Sequence, residues 1–137
     1  MLLETYKLCD YKIQKFEYEN VNVTTEEDQF ITLNVKTNIS ANLPDNKDKS
    51  NEINGMIEIE HIISNKDNTF KLIVNILNFV YLKINQDKDK KVDLSQIIEK
   101  NCLPDLLYKS REKIKELSVV LNLSPIELAP FSLERIK

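Results

Sequence analysis

His61 is the only histidine among the 137 residues, so any mechanism that needs an imidazole base must use it. Its position has the same parity as Ile57, Ile59 and Ile63, which places it on the apolar face of a predicted strand. A histidine in such a place is usually held by hydrogen bonds in a core or an interface. We therefore expect a structural histidine and no catalytic residue.

Two groups of carboxylates, at positions 26–28 and at Asp87 and Asp89, have a residue type that binds hard cations such as calcium. Neither group has the alternating oxygen ligands around a central glycine that a calcium loop requires. We expect these side chains to be solvated loop charges, and we expect no metal ion and no cofactor.

Glu58 and Glu60 form a third acidic pair, which flanks Ile59 in a segment with strand periodicity. Residues two positions apart point to the same side of a strand, here the side opposite the apolar one. Such a pair suits either solvent or the basic surface of a partner. Glu58 and Glu60 are therefore the predicted positions for docking a partner, with exposure to solvent as the alternative.

The cysteines and the single glycine narrow the possible chemistry further. Cys9 and Cys102 are far apart in the sequence and lie in no metal-binding or redox motif, so we expect two buried or half-buried thiols rather than a disulfide. Phosphate-binding loops, nucleophile elbows and dinucleotide turns all need glycines, and Gly55 is the only one. Nucleotide-binding enzyme classes are thus largely excluded.

Length, charge and hydropathy define the class of protein. A chain of 137 residues with 42% hydrophobic content predicts one domain, residues 1–137. The net charge of −3, from 19 basic and 22 acidic residues, gives no field that would attract nucleic acid or an anionic membrane. The most apolar run, residues 72–84, is interrupted by polar residues and too short to span a bilayer. Because the N-terminus lacks the regions of a signal peptide, we expect a cytoplasmic protein.

The first half of the chain has two segments with strand periodicity. Residues 31–39 alternate most regularly between apolar and polar side chains. Residues 11–23 also alternate, but the parity slips between Ile13 and Phe16, which predicts a β-bulge. The polar segment at residues 42–51 predicts a long exposed loop.

Two further strands are expected at residues 53–64 and 69–84, joined by turn-forming residues into a hairpin. The second of them is apolar on both sides in its middle. A helix should therefore cover one side of it and another subunit the other side.

In the C-terminal third the spacing of apolar residues changes from that of a strand to that of a helix. Leu94, Ile97 and Ile98 predict one short amphipathic turn that stops at 101–104, and a longer helix should begin near Pro104. The side of this helix that faces the sheet should consist of Leu107, Ser110, Ile114, Leu117 and Leu121. The fold class is therefore α+β: a four-stranded antiparallel sheet with C-terminal helices packed on one face.

Three short motifs follow one another in this last third. They are Leu-Pro-Asp-Leu-Leu-Tyr at 103–108, Arg111-Glu112, and Pro-Ile-Glu-Leu-Ala-Pro at 125–130. In order and approximate spacing they resemble the bacterial export chaperone SecB, which has a proline-led hydrophobic helix start, an arginine–glutamate pair and a closing leucine–alanine–proline. The segment Ile-Gln-Lys-Phe-Glu-Tyr at 13–18, followed by Val-Asn-Val, is similar to the first strand of that family.

The resemblance implies a bacterial cytoplasmic homotetramer, a dimer of dimers, that holds unfolded clients and passes them to the SecA motor. Clients of that family lie in apolar grooves formed by the second strand, the loop after it, and the helix with its proline segment. A protein that binds many unfolded chains needs a large apolar surface and no chemistry. The matching positions, and thus the predicted client-binding residues, are Ile31, Leu33, Val35, Leu43, Leu128 and Phe131. The alternative for each is that it fills the core.

The sequence departs from the SecB pattern where that family docks its motor. Asn20 and Thr24 replace acidic residues near the end of the first strand, and Ile73 replaces a glutamate of the fourth. Leu77 and Asn78 stand where the family has a pair of glycines, and the long C-terminal helix of the family is missing. These differences favour a chaperone with another recipient, serving one client such as an antitoxin, over a general export factor.

Three functions are open at this point. A SecB-like holdase should form a stable oligomer and suppress the aggregation of unfolded proteins. A dedicated protein-interaction adaptor on the same fold should bind one partner and ignore unfolded proteins in general. A small-ligand domain or enzyme has only His61 and scattered carboxylates to rely on, and a ligand that raises the melting temperature would favour it.

Overall fold

The computed structural model describes residues 2–20, 33–43, 52–65, 69–85 and 94–121. The strands are β1 (Leu2–Asn20), β2 (Leu33–Asn42), β3 (Glu52–Asn65) and β4 (Phe70–Asn85). The helical region consists of α1 (Leu94–Ile97), a π-helical turn (Ile98–Cys102) and α2 (Leu103–Val120). The predicted α+β class, a four-stranded antiparallel sheet with a C-terminal helix packed on it, is confirmed. The predictions for the tail and for most of the loop at 42–51 fall outside the described residues.

The strands form one sheet in the order β1-β4-β3-β2, and every neighbouring pair is antiparallel. β3 and β4 form the predicted hairpin. Asn65 helps to close it, because its Oδ1 accepts hydrogen bonds from the backbone N–H groups of Thr69 at 2.9 Å and Phe70 at 3.1 Å. In the described part of the chain, β1 and β2 are the two edges of the sheet.

β1 is longer than the sequence pattern predicted, since it begins at Leu2 and not at Tyr11. Its pairing with β4 shifts register at three places, and the shift between Ile13 and Lys15 confirms the predicted bulge. Each shift reverses the parity of the side chains, so the early part of the strand shows no regular alternation although it is paired throughout. The predicted end at residues 21–23 lies outside the described residues.

The predicted break between the two helices is wrong. The helical region continues from α1 into α2 through the π-helical turn, in which the N–H of Leu103 bonds the carbonyl of Ile98. Pro104 then stands in the first turn of α2, directly after the π-helical turn. The wider π-helical turn accommodates the proline, so the helix changes register where the sequence predicted a stop.

The core lies between the sheet and the helical region. In β3 the odd-numbered side chains are buried toward α2, on what we call the helix side, and the even-numbered ones lie on the outer face. On the helix side α2 contributes Leu106 and Leu107 to one buried cluster and Ile114 to a second. On the outer face of β4, Ile73 and Asn75 are also buried. Thus β4 is covered on both sides at its centre, although the described helices lie on one side only.

Candidate functional site

The helix side of β2 is apolar and only partly covered. We call Leu33, Val35, Ile39 and Leu43 the β2 strip. No residue of β2 is buried. Leu33 and Ile39 each pack against one of the two core clusters, while Val35 between them is 39% exposed. β2 is an edge strand that pairs only with β3 among the described residues, and Val35 is the part of the strip that is most open.

Leu43 continues the β2 strip just beyond the end of the strand. It is partly buried against the core, and its Cδ2 fills the space in front of Gly55. A Cβ atom on residue 55 would collide with this methyl group. The only glycine of the chain is therefore needed for the close approach of Leu43 to β3.

The β2 strip contains three of the six predicted client-binding residues, namely Leu33, Val35 and Leu43. The other three, Ile31, Leu128 and Phe131, lie outside the described residues. Ile39 was not among the predicted client-binding residues, although it has the same parity as Leu33 and Val35 in the strand predicted at 31–39.

Glu58 and Glu60 lie on the outer face, as their parity predicted, but neither is simply solvated. Both are half-buried and accept hydrogen bonds from Nδ2 of Asn75, at 2.7 Å to Glu58 Oε1 and 3.2 Å to Glu60 Oε2. Gln14 Nε2 donates to Asn75 Oδ1 at 3.0 Å, and Asn38 Nδ2 donates to Glu60 Oε1 at 3.4 Å. Side chains from all four strands therefore hold this carboxylate pair in place.

The carboxylate pair has no counter-ion within the described part of the chain. Neither Glu58 nor Glu60 forms an ion pair with another described residue. The amide groups around them supply only partial positive charge, and half-buried charges are less screened than exposed ones. The arrangement can therefore attract a basic side chain of a partner.

His61 is completely buried, with 0% of its surface exposed. Its Nδ1 lies 2.9 Å from Thr37 Oγ1 and its Nε2 lies 2.8 Å from Ser110 Oγ. The Ser110 hydroxyl donates to the carbonyl of Leu107, so it accepts from Nε2–H, and Nδ1 accepts from Thr37. Burial lowers the pKa of His61 from its ordinary 6.5 to about 4. The prediction that His61 is held by hydrogen bonds in the core is confirmed, because both ring nitrogens have side-chain partners and the residue is buried.

The two thiols are free and have different surroundings. Cys102 is buried, and its burial together with the nearby Asp105 raises the pKa of its thiol to about 11, which makes it unreactive. Cys9 is exposed, so the prediction of a buried or half-buried thiol is wrong for this residue. It lies at the register shift between Leu8 and Asp10 on the edge strand, where an extra residue interrupts the alternation.

The described residues hold neither a metal cluster nor a membrane-spanning helix. No three His, Cys, Asp or Glu side chains come together closely enough there to hold a metal ion. No helix among these residues is long and apolar enough to cross a membrane. The candidate functional surfaces are therefore the β2 strip and the carboxylate pair, on opposite faces of the sheet.

Comparison with known proteins finds similarity of fold. No protein-family model matches the sequence, and no curated protein is similar to it. A solved SecB-like chaperone of Mycobacterium tuberculosis, in complex with a ChAD peptide from the HigA1 antitoxin, is 12% identical and aligns with a TM-score of 0.66 over 93% of this chain and 88% of that one. A protein of unknown function from Streptococcus agalactiae is 14% identical, with a TM-score of 0.54 over 94% of this chain and 99% of that one.

These two structures agree with the present one in how the chain is folded rather than in its side chains. At identities of 12% and 14%, few residues of a binding surface are shared. The alignment nevertheless covers nearly the whole of each chain, which includes the sheet and the helix packed on it. The resemblance noted in the sequence is confirmed at this level, and the chain has a divergent SecB-like fold.

Proposed function

We propose that this protein is a molecular chaperone that holds unfolded or precursor polypeptides along the β2 strip, without catalysis. The observation that carries the proposal is the partly open β2 strip itself, an apolar surface on an edge strand of a SecB-like fold. An accessible apolar surface without reactive groups suits ligands that are apolar and variable in sequence. In this proposal residues 1–137 act as one domain in the bacterial cytoplasm.

The free edge of β2 supports the same function. Among the described residues only β3 pairs with β2, so the other edge of the strand offers its backbone N–H and C=O groups. An extended client can add a strand there, while every second side chain of the client contacts Leu33, Val35 or Ile39. Main-chain hydrogen bonds do not depend on the side chains of the client, so this mode of binding accepts many sequences.

A polypeptide ligand is also supported by the peptide that the Mycobacterium tuberculosis chaperone binds. A general holdase for protein export and a chaperone for one dedicated client both fit this observation. The alternative is an adaptor that binds one partner on the same fold and has no general holdase activity. A panel of unrelated unfolded proteins distinguishes them, because a holdase suppresses the aggregation of most of the panel and an adaptor of none.

Self-association is part of the proposal, as a tetramer made of two dimers. β1 is a long strand, and among the described residues only β4 pairs with it. Two of its rings, those of Tyr11 and Phe16, are exposed. A long unpaired edge with exposed aromatic rings tends to pair with another chain. Light scattering in solution should give the mass of four chains, and a strictly monomeric protein would contradict this part of the proposal.

The carboxylate pair is proposed as the docking site for a partner with a basic surface. Glu58 and Glu60 are fixed, half-buried and without a counter-ion among the described residues. The SecA motor is one candidate for this partner, but Ile73 stands where the SecB family has a glutamate. Another basic protein is therefore an equally suitable recipient of the client.

The β2 strip can be tested with two substitutions of the same kind. Val35→Asp places a charge on the strip, whereas Val120→Asp places it at the end of α2, where the valine is 76% exposed. Both valines are exposed, so neither change should unfold the protein. The wild type and Val120→Asp should suppress the aggregation of an unfolded protein, and Val35→Asp should have lost most of this activity. Equal activity of the two variants would contradict binding at the strip.

A further inference from the structure

An open groove of about 530 Å³, which we call the outer groove, lies on the outer face of the sheet. Met56 of β3 and Phe79 of β4 face each other across its middle, and both are half-buried. Asn42 of β2 and Cys9 of β1 lie at its two ends, so the groove crosses all four strands. It is apolar at its centre and polar at its ends, as a pocket for one bulky side chain of a partner would be.

The outer groove is continuous with the carboxylate pair. Glu58 follows Met56 on the same side of β3, and Leu77, which pairs with Glu58, lies next to Phe79. Successive residues on one side of a strand are about 7 Å apart, so Glu58 stands one such step from Met56 and Glu60 stands two. A second copy that pairs with the edge of β1 extends the sheet in its plane, which leaves the outer face of these central strands open.

The charge beside the outer groove on the two central strands is negative. Among residues 54–60 of β3 and the facing residues 75–81 of β4, Glu58 and Glu60 are the only charged side chains. The hydrogen bonds from Asn75 hold both carboxylates in place without neutralising them. A basic group of a partner is therefore attracted to one side of an apolar groove.

Exposed lysines of the edge strands do not neutralise the pair. Lys12 and Lys15 of β1 and Lys36 of β2 lie on the same face of the sheet. All three are exposed, and none of them forms an ion pair with Glu58 or Glu60. Solvated charges of this kind are screened by salt, so the carboxylates stay available to a cation that a partner brings into contact with them.

We propose that the outer groove and the carboxylate pair together bind a basic segment of a partner protein that carries one bulky apolar anchor. The anchor lies between Met56 and Phe79, and lysine or arginine side chains contact Glu58 and Glu60. In an extended segment, residues i, i+2 and i+4 project to one side with the spacing of these positions. The flexible thioether of Met56 adapts to anchors of different shape. The proposal rests on the docking function proposed for the carboxylate pair, and it adds the apolar half of what the partner must carry.

Three peptides test the two halves of the proposal separately. The first contains the sequence Phe-Ser-Lys-Ser-Lys, the second has alanine in place of the phenylalanine, and the third has serine in place of both lysines. The first should bind with a dissociation constant on the order of 0.1 mM at low salt, and the other two about tenfold more weakly. In protein with labelled methionine methyl groups, the phenylalanine peptides should shift the NMR signal of Met56, which is one of two methionines in the chain.

Two substitutions on either side of the carboxylate pair provide the matched control. Met56→Gln removes one apolar wall of the outer groove, and Ile62→Gln makes the same kind of change on the same face of β3, outside the groove. Both side chains are half-buried. The first variant should lose the preference for the phenylalanine peptide over the alanine peptide, and the second should keep it. Because the preference is a ratio within one protein, a loss of stability common to both variants does not affect it.

The possible failures are distinguishable. Equal affinity of the wild type for the phenylalanine and alanine peptides would overturn the anchor in the outer groove and leave docking at the carboxylates intact. Binding of the third peptide as tight as that of the first would also overturn the proposal, because the groove would then act without the carboxylates. If no peptide showed salt-dependent binding, the docking function itself would be contradicted, and this proposal with it.

Discussion

The 2.8 Å contact between His61 Nε2 and Ser110 Oγ joins the third strand of the sheet to the middle of α2. Both side chains are buried, so water is not available to replace either partner. The Ser110 hydroxyl donates to the carbonyl of Leu107, so Nε2 of His61 carries a hydrogen and donates to Ser110. This buried hydrogen bond ties α2 to the sheet.

Stability should fall as the pH drops from 6.5 to 4. The pKa of His61 is lowered to about 4 in the folded protein, while the unfolded chain protonates this residue near 6.5. The unfolded state thus binds more protons within this window, so the contribution is complete above pH 6.5 and lost as the pH falls through 4. The loss amounts to about 3 kcal/mol.

Urea unfolding at several pH values measures this effect, with His61→Gln as the control. The substituted protein has no group titrating at this position, so its stability should depend less steeply on pH in the same window. Both proteins contain the same carboxylates, so the difference between their two pH profiles reports on His61 alone. Identical pH profiles for the two proteins would show that His61 is not the responsible group.

Ser110→Ala should cost more stability than Ser118→Ala, although both serines are buried in α2. Removing the Ser110 hydroxyl leaves the Nε2–H of His61 without its acceptor, at a cost of about 1–3 kcal/mol. Ser118 only donates to the carbonyl of Ile114, one turn earlier in the same helix. Its removal leaves no buried donor unpaired. Equal losses of unfolding free energy in the two variants would contradict this role of the hydrogen bond.

Gly55→Ala should destabilise the protein by about 1–3 kcal/mol, because the added methyl group collides with Leu43 Cδ2. The double substitution Gly55→Ala with Leu43→Ala removes the collision. A double-mutant cycle of melting curves should therefore give a favourable coupling energy between the two changes. Additive effects would mean that Leu43 does not need the space in front of Gly55.

Docking at the carboxylate pair should be lost when Glu58→Gln and Glu60→Gln are combined. The glutamine oxygens still accept from Asn75, so the sheet should keep its stability while both charges disappear. Glu17→Gln with Glu19→Gln is the control, since that pair has the same spacing on the exposed edge strand β1. A basic peptide should bind the wild type and the control with an affinity that falls as salt rises. Binding that survives the first double substitution would place the docking site elsewhere.

Periodicity was sufficient to predict the central part of the fold. β3 and β4 carry regular apolar positions and a turn between them, so the hairpin, the buried His61 and the outward Glu58 and Glu60 followed from parity alone. β1 was only half recognised, because its register shifts reverse the parity that such a prediction relies on. The stop predicted near Pro104 failed for a related reason, since a π-helical turn lets the helix continue past a proline.

Contacts between distant parts of the chain could not be predicted in this way. Asn75 is polar within an apolar strand, and nothing in its neighbourhood indicates that it joins Glu58, Glu60 and Gln14 on two other strands. Such pairings depend on register and helix position, which the sequence pattern does not specify.

The central claim is that polypeptide clients lie on the β2 strip, and site-specific photo-crosslinking tests it most directly. A photoreactive amino acid at position 35 lies on the strip, and the same amino acid at position 120 lies at the exposed end of α2. The account predicts that position 35 crosslinks an unfolded protein and position 120 does not, and that the crosslink disappears when the protein has folded. Crosslinking from position 120 alone, or equally from both positions, would contradict binding at the β2 strip.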